Sequence, residues 1–267
     1  IQKEKIYMPQ GVDLSLLTVL PIVLQLAGLT AYVSVDTYIG NRRKRMMGLI
    51  IALSFCLLLQ NIIDNYLSLF YTWIFGRTIV SVCGYILRPV IIILFMYVIS
   101  PDRDYRLSWA LAGINTAVHL TAFFSDICFT INEENYFVRG PLGYTCYVIS
   151  VALLANLILA TFREYGNTSR KEIWFPVVSV IIILLSVAAD FMFYYGSQPV
   201  SYLTIVTTSC TFFYYLWIHR QIVRQYEHTI LTQQKLQMMF TQIKPHFLYN
   251  SLGAIEQLCD VDPQAAK

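Results

Sequence analysis

Seven stretches of the chain run almost without interruption in Leu, Ile, Val, Phe and Tyr: 13–36, 46–66, 76–99, 107–125, 144–162, 173–195 and 200–219. A helix needs about 20 mostly apolar residues to cross the hydrocarbon core of a bilayer, and these stretches meet that need. None alternates apolar and polar residues at period two, as a barrel strand would, so helices are the expected spanning elements. The pattern predicts an all-α membrane protein, a seven-transmembrane helical bundle over 13–219 preceded by a short segment, 1–12. After Trp217 and His219 the composition turns abruptly to Gln, Arg, Lys and Thr. There Ile222, Tyr226, Thr229, Gln233, Leu236, Phe240, Ile243, Phe247, Asn250 and Ala254 recur in steps of three and four, the narrow seam of a coiled coil. A cytoplasmic signalling helix over 220–243, paired in parallel with a second copy, is the expectation. The alternative is an amphipathic helix lying on lipid headgroups.

Composition sharpens this picture. Of the residues, 57% are hydrophobic and 13% charged, against roughly 25% charged in soluble domains, which excludes a soluble globular protein. The net charge of +3 calls for no nucleic-acid partner, because the basic residues fall on one side. Arg42, Arg43, Lys44 and Arg45 follow the first stretch, Arg103 and Arg106 the third, Arg163, Arg170 and Lys171 the fifth, and Arg220 and Arg224 the seventh. Lys3, Lys5, Arg77 and Arg139 fall on the other side. Positive charge is retained in cytoplasmic loops, so the N-terminus is expected outside and the C-terminus inside a cell membrane crossed many times. The chain opens on Ile1 without the order of a cleaved signal peptide, and a start is expected to be missing.

Cys56, Cys83, Cys210 and Cys259 lie in spans or the tail, where thiols are the default. Cys128 and Cys146 flank the outer loop, where either a disulfide staple or two buried thiols would fit. That loop, 126–143, is too short for a domain, so any stimulus is read by the bundle, the loop or the lipid. Asp102-Arg103-Asp104-Tyr105-Arg106 superficially resembles a G-protein-coupled receptor signature. However, the sixth stretch has Phe175-Pro176 at its inner end and the seventh lacks Asn-Pro-x-x-Tyr, so retained positive charge accounts for it better.

The chemistry concentrates in Gln242-Ile243-Lys244-Pro245-His246-Phe247-Leu248-Tyr249-Asn250-Ser251-Leu252. Pro245 lacks an N–H and its ring clashes with the carbonyl four residues back, kinking the helix before His246. His246 is a side chain able to act as a neutral nucleophile near pH 7, and Asn250 at i+4 shares its face. The string closely resembles the phosphoacceptor motif of the LytS/YehU-type sensor histidine kinases, a pattern near Q-I-x-P-H-F-L-x-N-x-L-N-x-I, read here as QIKPHFLYNSLGAI. The resemblance implies that His246 takes the γ-phosphoryl group of ATP, with Mg²⁺, in a homodimer that passes it to a response regulator. It places the first asparagine of the pattern on Asn250, whereas Gly253 replaces the later one and Phe247 stands where other histidine kinases carry an acid. Residues 244–267 are then the start of the dimerisation and phosphotransfer domain. Asp262-Pro263 reads as the opening of its second helix. No glycine-rich ATP lid or asparagine box follows, so the expectation is a fragment without the ATP-binding domain, binding neither cofactor nor metal itself. The competing expectation is a seven-helix receptor or small-solute transporter whose C-terminal helix only docks a partner.

Ionisable groups inside spans point to function or pairing. Arg88, before Pro89, and His119 lie deep in the third and fourth stretches, with Asn115, Gln25 and Asn156 at similar depth. Asp64, Arg77, Asp126 and Asp190 lie toward the outer ends. These suggest an outward-facing pocket for an unknown ligand, with Arg88 and His119 at its floor and Asp64 and Asp190 on its walls. The alternative is that Arg88 pairs with an acid and fixes helix packing.

Overall fold

The computed structural model describes residues 14–70, 73–165, 170–192, 201–242 and 245–261, with side chains described for 19–68, 73–165, 174–189, 201–241 and 247–261. Two compact units divide the chain after Ile218. In the first unit, α1 (Leu14–Val35), α2 (Asn41–Phe70), α3 (Ile74–Ile99), α4 (Arg106–Leu120), α5 (Thr145–Tyr165) and α6 (Arg170–Met192) are followed by α7 (Tyr202–Gln242), whose first half closes the unit. Every apolar stretch thus carries a helix. Three of them, Asn41–Ser68, Ile74–Ile99 and Thr145–Tyr165, are long and apolar enough to cross a membrane among the described residues. The fourth stretch is shorter than its apolar run suggests: α4 stops at Leu120 after 15 residues and a 3₁₀ turn, Thr121–Phe123, follows. At 1.5 Å per residue α4 is about 22 Å long.

Helix α3 is the spine, packing against α2, α4 and α5. Pro89 lies inside it, and a proline has no N–H for the carbonyl four residues earlier. That carbonyl belongs to Tyr85, and the neighbouring helices supply its donors instead: Asn115 Nδ2 from α4 at 3.0 Å and Cys146 Sγ from α5 at 3.4 Å. A proline that would weaken an isolated helix here creates the acceptor on which α4 and α5 dock. The other end of the unit is tied by tyrosines of α7, Tyr215 donating to Asp36 Oδ2 at 2.6 Å and Tyr214 sharing a 2.7 Å hydrogen bond with Thr161.

The all-α expectation missed a small antiparallel hairpin in the outer loop, β1 (Phe129–Ile131) paired with β2 (Phe137–Arg139) in the register Phe129 with Arg139 and Ile131 with Phe137. Its turn depends on Asn135, held at φ 64°, a left-handed conformation that asparagine tolerates better than most residues. Gly140 leaves the hairpin with no room for a Cβ against the carbonyls of Asp126 and Ile127. The Arg139 guanidinium lies over the rings of Phe137, Tyr144 and Tyr147 at 5.7, 5.3 and 5.0 Å and donates to the Tyr147 hydroxyl at 3.1 Å, fastening the strand to the start of α5.

Cys128 and Cys146 are both free thiols, buried in one cluster with Val82, Tyr85 and Phe129, so of the two sequence alternatives the buried thiols hold. Burial pushes the Cys128 thiol up to about 11, with neighbouring Cys146 adding to the shift and Arg139 opposing it. Only the thiolate reacts readily. A water-soluble maleimide at pH 7 is therefore expected to label exposed Cys259 and leave Cys128 unmodified, as read by mass spectrometry of the intact protein; equal labelling would show that the loop opens freely.

The second unit comprises the rest of α7 and α8 (Pro245–Val261). The first described residue of α8 is Pro245, and the kink expected there falls on Ile243 and Lys244, outside the described residues. Ile243 and the expected second helix from Asp262 lie outside the described residues.

Candidate functional site

The sequence assigns chemistry to two places, and the fold gives each its surroundings. In the first, His246 is the second residue of α8, its side chain lying outside the described set. Asn250 follows one turn later in the same helix. Phe247, Leu248 and Tyr249 beside the histidine are exposed, as are Leu252, Ile255 and Leu258.

Leu248, Leu252, Ile255 and Leu258 recur at helical spacing and form an apolar stripe that this single chain leaves uncovered. The seam expected from the sequence runs through Phe247, Asn250 and Ala254 instead. Along α7 the seam residues Tyr226, Thr229, Gln233, Leu236 and Phe240 are all exposed.

The second place is the polar interior of the bundle. Asp64 there pairs with Arg77, whose Nε approaches Asp64 Oδ1 to 3.2 Å, while Ser81 Oγ donates to the same oxygen at 3.3 Å. The Arg77 side chain, only 10% exposed, also donates to the backbone carbonyl of Asn135 and, at 3.0 Å, to its Oδ1. Asn135 in turn donates to the Leu67 carbonyl at 2.9 Å. One arginine thus pins the hairpin turn to the ends of α2 and α3. Ser81 precedes Arg88 by seven residues, so this cluster sits about 10 Å along α3 from Arg88. Asp190 belongs to α6, with its side chain outside the described set. Gln25 accepts from Ser209 at 3.3 Å and Asn156 donates to Ser108 at 3.1 Å, both as helix-to-helix ties. Asp126 is exposed.

Replacing Arg77 by methionine keeps the apolar stem and removes its bonds to Asp64 and Asn135. The expected cost is about 2 kcal/mol, read as a lower melting midpoint in nanodiscs with faster proteolysis at 132–136. Combining it with Asp64→Asn is expected to restore part of the loss, because the carboxylate left unpaired by the first change is then neutral.

Arg88 and His119 do come together, through a residue the sequence reading passed over. Tyr85 stacks on the His119 ring at 4.6 Å between centroids and 30° between planes, and the Arg88 guanidinium lies 5.3 Å from the Tyr85 centroid. The signal that finds Tyr85 is its place four residues before Pro89. Among the described residues no acid is ion-paired with Arg88. An open cavity of about 640 Å³, lined by Arg42, Arg43, Arg103, Asp102 and Glu164, lies at the opposite end of α2 and α3 from Asp64 and Arg77. The Arg42–Asp102 pair there, at 2.6 Å, is exposed.

No curated protein and no solved structure matches the chain. Residues 234–267, which include His246 and all of α8, match the family model for Histidine kinase, and that match supports a histidine kinase.

Proposed function

We propose that this chain is the sensor and phosphoacceptor portion of a two-component histidine kinase of LytS/YehU type. The seven apolar stretches cross the cell membrane, with the N-terminus outside and the basic loops inside. A stimulus is read by the bundle and its outer hairpin. The helix from 220 onward pairs with that of a second copy and sets the attitude of the phosphoacceptor helix. The observation that carries this reading is the string from Gln242 to Leu252, with Pro245, His246 and Asn250 in place, inside the segment that matches the Histidine kinase family. The uncovered stripe of α8 supports a homodimer, because an apolar helical face needs a partner face.

In this reading an imidazole nitrogen of His246 attacks the γ-phosphorus of ATP. The bond to the bridging oxygen breaks, ADP leaves and the ring loses its proton, so the phosphoryl group is held on nitrogen until an aspartate of a response regulator takes it. Mg²⁺ and ATP, held by the ATP-binding domain that such kinases use, would supply charge neutralisation and the phosphoryl group. The chain contributes the nucleophile and the conformational input.

The test is autophosphorylation of the full-length protein in proteoliposomes with Mg²⁺ and labelled ATP. An acid-labile, base-stable label mapped to the peptide carrying His246 is expected. Absence of label with the ATP-binding domain folded would overturn the proposal.

A further inference from the structure

The open cavity of about 640 Å³ lies where α2 begins and α3 ends, and three arginines line it: Arg42 and Arg43 from the start of α2, and Arg103 from the segment after α3. Their present bonds leave donors over. Arg43 is the most firmly held, with Nε donating to the Val98 carbonyl at 3.0 Å and Nη2 to that of Ile99 at 3.4 Å, both neutral acceptors at the end of α3. Nη1 takes no part in these two bonds. Arg42 meets Asp102 Oδ1 through Nη1 alone, at 2.6 Å, and the Asp102 side chain is 94% exposed. An ion pair so open to solvent contributes little and is exchanged easily for a stronger partner. Arg103 belongs to none of the ion pairs among the described residues. Glu164, the remaining acid of the lining, accepts a 2.6 Å hydrogen bond from Ser100 Oγ.

Three arginines against two carboxylates leave the lining positive, and its surroundings make it more so. Arg42, Arg43, Lys44 and Arg45 stand in succession at the opening of α2, whose first turn contains no acid. Cations there oppose the positive end of the helix dipole. Retention of positive charge on one side of a membrane accounts for basic residues in this region. It does not account for three guanidinium groups, drawn from two separate segments, around one cavity, nor for one of them being fixed there by neutral carbonyls.

We propose that this cavity binds a phosphate monoester, whose terminal oxygens accept from Arg42, Arg43 and Arg103 together. Shape selects this class as much as charge. Each guanidinium is a planar fork that matches oxygen acceptors. A monoester has three terminal oxygens in tetrahedral arrangement, one for each fork, whereas a diester has two. A carboxylate has two oxygens in one plane and suits a single fork. Binding draws Arg42 off the exposed Asp102 and leaves the bonds of Arg43 to α3 in place.

The monoester can arrive on the headgroup of an inner-leaflet lipid or on a soluble compound, and the cavity is open to either. The lipid source rests on the proposed placement of the basic loops at the cytoplasmic face of the membrane, whereas recognition of the phosphate does not.

Full-length protein is placed in nanodiscs of phosphatidylcholine containing either phosphatidic acid, a monoester, or phosphatidylglycerol, a diester, and the lipid it retains is read by native mass spectrometry. In a second arm, labelled glycerol phosphate is dialysed against the protein in phosphatidylcholine alone. Preferential retention of phosphatidic acid identifies the lipid as the source, and binding of glycerol phosphate alone identifies a soluble one. In whichever arm binds, affinity is expected to fall about tenfold or more when Arg42→Gln and Arg103→Gln are combined. Both side chains are exposed, so the variant is expected to keep the parent melting midpoint. The control combines Arg45→Gln with Arg106→Gln, exposed cations outside the cavity lining, and should leave affinity near the parent value although it removes the same charge. Equal retention of the two lipids with no glycerol phosphate bound, or equal losses in the cavity variant and the control, would reduce the site to general basicity and overturn the proposal. Label on His246, measured in the same nanodiscs, reports on the kinase separately from this binding.

Discussion

Replacing His246 by glutamine is expected to reduce phosphorylation of the full-length protein to background while leaving its melting midpoint unchanged. Glutamine approximates the length and polarity of histidine but has no ring nitrogen able to form a phosphoramidate, so the covalent step is removed outright. The fold has little to lose at this point. The neighbouring Phe247, Leu248 and Tyr249 are exposed in the single chain. Asn250→Ala is the informative companion. If Asn250 acts on the phosphoryl group one turn away, the variant should accept label normally and lose it more slowly when the response regulator is added. Label retained in His246→Gln would mean that the acceptor is elsewhere and that the C-terminal helix only docks a partner.

The helices of the bundle were legible from the apolar runs because lipid-facing and core-facing residues are both apolar, so length alone marks them. The same property hides where a helix ends. The fourth run reads to 125, yet Ala122 and Phe123 pack against the cluster that holds Cys128 and Phe129 and belong to the seat of the hairpin, not to a span. The hairpin itself has strands of three residues, too short to show a period, and its turn rests on one asparagine at positive φ.

Pairing of charges was equally illegible. Asp64 and Arg77 are 13 positions apart, but the partner that completes the cluster, Asn135, comes from 58 positions beyond Arg77. Arg88 and His119 were visible as costly groups in apolar surroundings, and depth alone placed them together. What could not be read was that a backbone carbonyl, freed by Pro89, would draw α4 and α5 to Tyr85 and fix which lone pairs remain. Around Pro245 the proline was legible, and the kink read from it falls on Ile243 and Lys244, outside the described residues.

Insertions into α7 are expected to separate a rotating coupler from a passive tether. Each inserted residue turns everything beyond it by about 100° and advances it by about 1.5 Å. One alanine placed between Gln234 and Lys235 would carry Leu236 and Phe240 off the face occupied by Tyr226, Thr229 and Gln233, residues that are all exposed along this helix. Seven inserted residues return them to within about 20° of that face. If α7 transmits register to α8 through a paired seam, the single insertion should abolish disulfide cross-linking of a Leu236→Cys variant between copies. It should also drive the rate of His246 labelling to one extreme. The seven-residue insertion should restore both to near the parent values although it lengthens the helix by about 10 Å. Labelling that is the same in all three proteins would show that the phosphoacceptor helix is indifferent to the phase of α7. The weak residues of the seam, Thr229 and Gln233, make the first outcome the expected one, since a coiled coil that is only marginally stable can exchange registers at small cost, and a signalling helix needs that exchange.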